Sequence, residues 1–442
     1  MKIKFVMTAF IASMLGILSA CGQKKHMPEG ALLSIEYTRS GTMAGYEYEA
    51  HVDRQDNGSV LLRASYVNHG PLVVKYVDES TLKELRDIIE EEKIYAYKDH
   101  YTPPFEVLDG YGWHLYARFE NHESISTGGS NAGPDGNGLG RIIGVISKLI
   151  GDSKPKGWLE EDKDFKWEGS SWTDGFREFR FDNEEDIVMI AGDADETTWF
   201  DKSDWRLEHK TSDHQELFEA INYSRNKYYV FERTDKEKTR AWQQLRNLRM
   251  LCAGTYQGKN GKTYIFTRDG MFKNSDKDKG IAYSIVKNKN GYTNVLRAGA
   301  NQWLVCLTDS GMNLYQPQTA ANGYKRGKLI DVLKMTDNAS DNSNGFSIPG
   351  RWAVFSEIVA DKHMLSLFPP KVLKRISDEI LARYGHGFYN DEEAKAYFKK
   401  QPWYDDDNTN YNMSPVDEIN SRELREMRDS KPTGPWPWFE SE

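Results

Sequence analysis

The sequence predicts an α+β protein built from several domains. Three observations carry that expectation. Turn pairs punctuate a long β-rich stretch at Asn260-Gly261, Asp269-Gly270, Asn290-Gly291 and Asp309-Ser310-Gly311. Apolar residues recur at helical spacing over 80–93 and 139–149, between segments that alternate in the strand manner. The chain has 442 residues, more than one hydrophobic core usually serves.

Residues 31–152 are read as an antiparallel sheet backed by two helices. Strands are expected at 35–37, 46–52, 60–67 and 113–119, with Asp56-Asn57-Gly58 as a hairpin turn. The first helix, capped by Ser80, carries Leu82, Leu85, Ile88 and Ile89 on one face. The second carries Ile142, Ile143, Ile146 and Leu149. Lys154 to Gly157 reads as a linker. Residues 158–250 are mixed. Phe176, Phe179, Phe181 and 187–190 suggest strands, as does 228–231. Residues 213–223 suggest a short helix capped by Asp213, and 237–248 another. Residues 251–336 form a β-rich domain, whether meander, sandwich or small barrel. Asp337 to Gly345 is polar enough to be a linker.

The composition is that of a globular chain, 38% hydrophobic and 28% charged. The net charge of -9 and the lack of a basic stretch argue against nucleic acid as a partner. Aromatics are abundant, with 12 Trp, 24 Tyr and 19 Phe, which suits either β-rich cores or sugar-stacking platforms.

Two features point to the bacterial envelope. Lys2 and Lys4 precede an uncharged run from Phe5 to Leu18, which is short for a membrane span. Leu18-Ser19-Ala20-Cys21 follows and resembles the lipobox of bacterial lipoproteins. The resemblance implies a signal peptide at 1–20, lipid on Cys21, a tether at 21–30 and the membrane as a partner. Acyl chains contribute about 0.8 kcal/mol per buried methylene, so two or more anchor firmly. Gly22, where an aspartate retains inner-membrane lipoproteins, points to the outer membrane. The periplasmic or surface face stays open. The stretch from Tyr101 to Gly110 is similar to lipoprotein domains of the Bacteroides group and implies no activity.

The C-terminal region, 350–430, reads as a small helical domain. Asp378-Glu379-Ile380-Leu381-Ala382-Arg383-Tyr384-Gly385 is followed by Ala396-Tyr397-Phe398 and Gln401-Pro402-Trp403-Tyr404. This pattern resembles the YARHG domain, an extracellular module of bacterial proteins. Glu379, Ile380, Ala382, Arg383 and Gly385 match it, whereas Leu381 and Tyr384 depart from it. The resemblance implies location and no chemistry. Leu373, Ile376, Ile380 and Ala382 form a helix stripe, with Gly385 or Gly387 ending the helix. Glu379 and Arg383 read as a surface i,i+4 pair. Arg383, Trp403 and Tyr404 are the residues to test for ligand binding, against a structural role.

No catalytic constellation emerges. Gly129-Ser130-Asn131-Ala132-Gly133 fails the nucleophile-elbow spacing at Ala132. The glycine-rich run 128–140 lacks the lysine of a P-loop and reads as a loop. His114, His122 and His100 do not make a metal-ligand cluster, and no cofactor is expected. Trp167, Trp172, Trp199 and Trp205 are read as core rather than sugar platforms. Cys252 and Cys306 admit a disulfide or two buried thiols. The expectation is a non-enzymatic binding or structural lipoprotein, with an envelope glycan or protein as partner. The rival is an envelope hydrolase using facing carboxylates.

Overall fold

A computed structural model describes residues 25–440 apart from 42–47, 56–57, 67–72, 106, 108–109, 151–158, 184–186, 192–203, 213–214, 236, 260, 322, 338–347, 407–412 and 435. The expected signal peptide, Cys21 and Trp199 lie outside the described residues. No described helix is long and apolar enough to cross a membrane. The α+β architecture is as the sequence predicts: two sheets, a barrel and a helical C-terminal region.

The first sheet contains β1 (Leu32–Ser40), β2 (Tyr48–Arg54), β3 (Val60–Tyr66), β4 (Val73–Val77), β5 (His100–Tyr101), β6 (Gly112–Phe119) and β7 (Ser124–Ser130). Their spatial order is β4-β3-β2-β1-β6-β7-β5. All pairs are antiparallel except β5 with β7. Alternation puts Ile35, Tyr37, Ala50, Val52, Leu62 and Ala64 on one face. That face packs on α1 (Ser80–Glu91) and α2 (Gly138–Ile150) through Leu85, Ile89, Ile142 and Ile146. Ser80 is the first helical residue rather than the cap. The carboxylate of Asp78 accepts its backbone N–H at 2.8 Å instead. Gly129 and Ser130 belong to β7, so the elbow-like run begins as sheet.

The second sheet contains β8 (Glu160–Glu161), β9 (Ser171–Thr173), β10 (Glu178–Phe181), β11 (Ile187–Ala191), β12 (Arg206–Thr211), β13 (Glu216–Asn222) and β14 (Lys227–Thr234), in the order β11-β10-β9-β14-β13-β12-β8. In place of the helix expected at 213–223 stands the strand β13, and its expected cap Asp213 lies outside the described residues. Leu217 and Phe218 are both buried, on opposite faces, so the segment shows no alternation from which a strand is read. Phe218 joins Trp172, Phe179, Phe181, Trp205 and Phe231 in an aromatic core, with Trp167 against it. Trp167, Trp172 and Trp205 are therefore packing residues.

Helix α3 (Arg240–Cys252) is capped by the Thr239 hydroxyl, which accepts from Trp242 N at 3.3 Å. It leads into a closed antiparallel barrel of β15 (Gly254–Gly258), β16 (Thr263–Phe266), β17 (Met271–Lys273), β18 (Ile281–Asn288), β19 (Gly291–Ala298), β20 (Asn301–Thr308), β21 (Gly311–Ala320) and β22 (Gly323–Asp337). The barrel is a packed core rather than a channel. Tyr256, Phe266, Phe272, Tyr283, Leu296, Trp303, Val305 and Leu314 belong to one buried cluster.

The C-terminal region contains a 3-10 turn (Ala353–Ser356), α4 (Lys362–Ser366), α5 (Pro370–Arg383), α6 (Glu392–Phe398) and α7 (Pro415–Asp429). Prolines open α5 and α7, where a missing N–H costs nothing. Gly385, at φ +73°, follows the end of α5 as its turn out of the helix. These helices bury side chains against all three β units. Trp352, Phe355, Phe368, Leu373, Ile376 and Ile380 continue the barrel core. Val359, Val416 and Ile419 pack on Leu159, Leu217 and Val230 of the second sheet region. Ala382, Phe388, Ala394, Phe398 and Trp403 pack on Leu61 and Val74, on the outer face of the first sheet. Ala382 thus leaves the stripe shared by Leu373, Ile376 and Ile380.

Candidate functional site

Arg383 does not face solvent. Its side chain is 0% exposed and its guanidinium is fully engaged. Nε donates to Pro349 O at 2.8 Å, Nη1 to Ser356 Oγ at 2.8 Å and Nη2 to Glu379 Oε1 at 2.5 Å. Glu379 also accepts the backbone N–H groups of Trp352 at 2.6 Å and Arg351 at 3.0 Å. The surface pair read from the sequence is therefore a buried tie between α5 and the segment entering the 3-10 turn. Burial pushes the Glu379 carboxyl up, while Arg383 opposes that shift. Asp417 of α7 completes the network. It accepts from Ser356 Oγ at 2.5 Å, Tyr384 Oη at 2.7 Å and Ser414 Oγ at 2.9 Å. Tyr384 is thus bonded to α7.

Trp403 and Tyr404 do not assemble with Arg383 on a surface. Tyr404 donates to His386 O at 2.6 Å and packs beside Phe388 and Phe398. Trp403, also buried, lines a cavity of about 630 Å³ between β3, β4, the end of β22 and α6. Leu61, Tyr76, Lys334, Arg351 and Tyr397 share that wall.

A larger cavity, about 1180 Å³, lies between the barrel and α5. The Asp309-Ser310 turn, joining β20 to β21, lines both cavities. Of its aromatic lining Trp436 is partly exposed while Trp352 and Phe439 are buried, and Arg326, Lys371 and Arg375 stand around it with Asp309 and Glu440. Its outer edge is the C-terminal tail, held across the barrel like a strap. Leu307 N donates to Trp438 O at 2.7 Å and Arg326 Nη2 to Phe439 O at 2.5 Å. Asn313 and Tyr315 both donate to the Glu440 carboxylate. This cavity was not legible in the sequence, because Trp436 to Glu440 follow the last periodic segment and lie outside the expected domain.

No family model matches the chain, and no curated protein or solved structure is similar to it. Function rests on the sites themselves.

Cys252 and Cys306 are free thiols, so the bridge left open by the sequence is not formed. Cys252 lies in the barrel core and Cys306 in a separate cluster with Val295 and Leu304. Burial pushes their thiols up to about 12 and about 11. His114 bonds Ser126 Oγ at 3.0 Å and His100 lies 3.3 Å from Ser130 Oγ, so these histidines serve the first sheet separately. Asn131, ahead of α2, turns its Oδ1 to Tyr111 N at 2.8 Å, and Trp113 Nε1 donates to Ala132 O at 2.7 Å. The glycine-rich segment thereby closes on β6 rather than opening an anion cradle.

Several carboxyls are raised by burial. Asp361 is pushed up to about 7 at the junction of α3 and α4, and Glu423 of α7 likewise to about 7. Neither lines either cavity. Asp361 Oδ1 caps Met364 N at 2.6 Å and Oδ2 accepts from Asn247 Nδ2 at 2.9 Å.

Proposed function

We infer that the protein is a lipid-anchored, non-enzymatic ligand-binding module of the bacterial envelope, held through Cys21. The observation that carries this reading is the cavity between the barrel and α5. It sets the partly exposed Trp436 ring beside Arg326, Lys371 and Arg375, a chemistry suited to stacking on and pairing with an acidic glycan of the envelope. The YARHG-like helices supply its floor. The hydrolase alternative lacks support of the same kind, because the carboxyls raised toward neutrality belong to packed seams rather than to a cleft.

The test is a titration of the full chain in detergent against envelope polysaccharides and peptidoglycan fragments. Saturable binding to an anionic glycan, weakened at least about tenfold by Trp436→Ala and leaving the polymer intact, is expected. Cleavage of the polymer, or binding that ignores Trp436 and Arg375, contradicts the reading. A separate check of the anchor is metabolic labelling with an alkyne fatty acid. The label is expected on the wild-type chain and absent from Cys21→Ser.

A further inference from the structure

The smaller cavity has no part in the reading above, yet it lies against the larger one. Asp309 and Ser310, the turn from β20 to β21, line both. Ser310 is exposed, so the turn is a ridge at the surface between two hollows. The ridge is pinned. Arg351 Nε donates to Thr308 O at 3.3 Å and Nη2 to Gly311 O at 3.2 Å, while Met335 N donates to Ser310 O at 2.8 Å. Two stacks join the walls of the hollows. The Arg351 guanidinium of the smaller sits 4.4 Å from the Trp352 ring centre of the larger, and Arg375 of the larger sits 4.2 Å from the Tyr397 ring of the smaller. The walls beside the ridge are therefore one packed unit.

Each hollow also has an aromatic ring that reaches solvent. In the larger it is Trp436. In the smaller it is Tyr76 of β4. Strand alternation puts Tyr76 on the same face as Val74, and the ladder sets it opposite Leu61. Those two are buried in the cluster with Phe398 and Trp403, whereas Tyr76 is 63% exposed. Its ring adds little to that seam and lies open to a ligand. Lys334, Arg351 and Lys400 line this hollow, as Arg326, Lys371 and Arg375 line the other. Against them stand Asp309 on the shared ridge, Asp337 in the smaller hollow and Glu440 in the larger, so each keeps a positive excess. The carboxylate and hydroxyl of the ridge suit the neutral hydroxyls of a sugar rather than another anion. A drug-sized ligand fills a pocket of about 300–1,000 Å³. The larger hollow alone holds about 1180 Å³, and the smaller adds about 630 Å³.

We propose that the two hollows are halves of one cleft, and that its occupant is a linear acidic polysaccharide lying across the Asp309-Ser310 ridge rather than a single sugar. The inference rests on the glycan-binding reading and deepens it, because each hollow takes a separate stretch of the same chain. Two sites filled by one linked ligand reinforce each other, so binding strengthens with chain length until both are occupied.

The test is calorimetric titration of the full chain in detergent with oligouronates, from disaccharide to decasaccharide. Affinity is expected to rise at least about tenfold along the series. Trp436→Ala is expected to weaken binding at every length, and Tyr76→Ala to remove the rise. Tyr76 is exposed, so its variant is expected to keep the fold, which circular dichroism checks. Affinity that is flat with length but lost in Trp436→Ala overturns the single cleft and leaves the glycan reading standing. A rise that survives Tyr76→Ala does the same. Binding to no fragment, or binding that ignores both rings, overturns the cleft and the glycan reading together.

Discussion

Buried charges at single residues govern how the C-terminal helices hold together. Arg383 and Glu379 are a pair whose partners are all protein atoms. Removing one member leaves the other uncompensated in a dry interior, which costs roughly 3–5 kcal/mol. Arg383→Ala is accordingly expected to lower the unfolding free energy by that amount in a urea titration. A loss below about 0.5 kcal/mol, normal for an exposed pair, is inconsistent with the geometry. A second residue-scale expectation concerns pH. Asp361 and Glu423 are each pushed up to about 7, chiefly by burial. Their carboxyls keep protons in the folded chain that the unfolded chain has released above about pH 4. The folded state therefore binds more protons across that window, and stability from these groups is full below about pH 4 and lost as pH rises to about 7. The double variant Asp361→Asn/Glu423→Gln is expected to flatten that part of the stability profile. A profile as steep as the wild type contradicts the assignment.

At the scale of elements, legibility followed the locality of the signal. The helices α1, α2 and α3, the β1–β3 strands and the turns of the barrel were legible because their periods and turn residues act over a few positions. β13 was not, since its two faces are buried against different neighbours and it reads as a mixed apolar run. Arg383 was legible as a member of a motif but not as a buried ion, because burial depends on α7 and the 3-10 turn, distant in sequence. The cavity was hidden for the same reason: its walls come from β20, β22, α5 and the tail. The docking of α6 on the first sheet gives a test at this scale. Phe398 is 0% exposed between Phe388, Trp403 and the sheet residues Leu61 and Val74. Phe398→Ala is expected to cost roughly 3–5 kcal/mol and to speed amide exchange in β3 and β4. Exchange altered only within α6 contradicts that docking. The tail gives another. Trp438 is 2% exposed, and neighbouring Pro437 lies against Cys306, with its carbonyl 3.9 Å from the sulfur. Trp438→Ala is expected to raise the labelling rate of Cys306 by a thiol reagent about tenfold or more, where the wild-type thiol, pushed up to about 11, is inert. An unchanged rate argues against the strap.

Over the whole molecule, the C-terminal helices are the common partner of two sheets and a barrel. Their core residues continue the barrel cluster, and their other faces close on Leu61 and Val74 in one direction and on Leu217 and Val230 in another. The Asp405–Arg63 ion pair adds a polar contact across the first of these seams. Segments that looked like modules in series along the sequence thus share buried surface through one hub. The larger cavity is a consequence, because it exists only while barrel, α5 and tail are held together. The proposed glycan site requires that the units fold as one body. Differential scanning calorimetry of the full chain tests this most directly. The account predicts one transition whose calorimetric and van't Hoff enthalpies agree, shifted as a whole by Arg383→Ala. Separate transitions, with only one moved by Arg383→Ala, would show independent modules and contradict it.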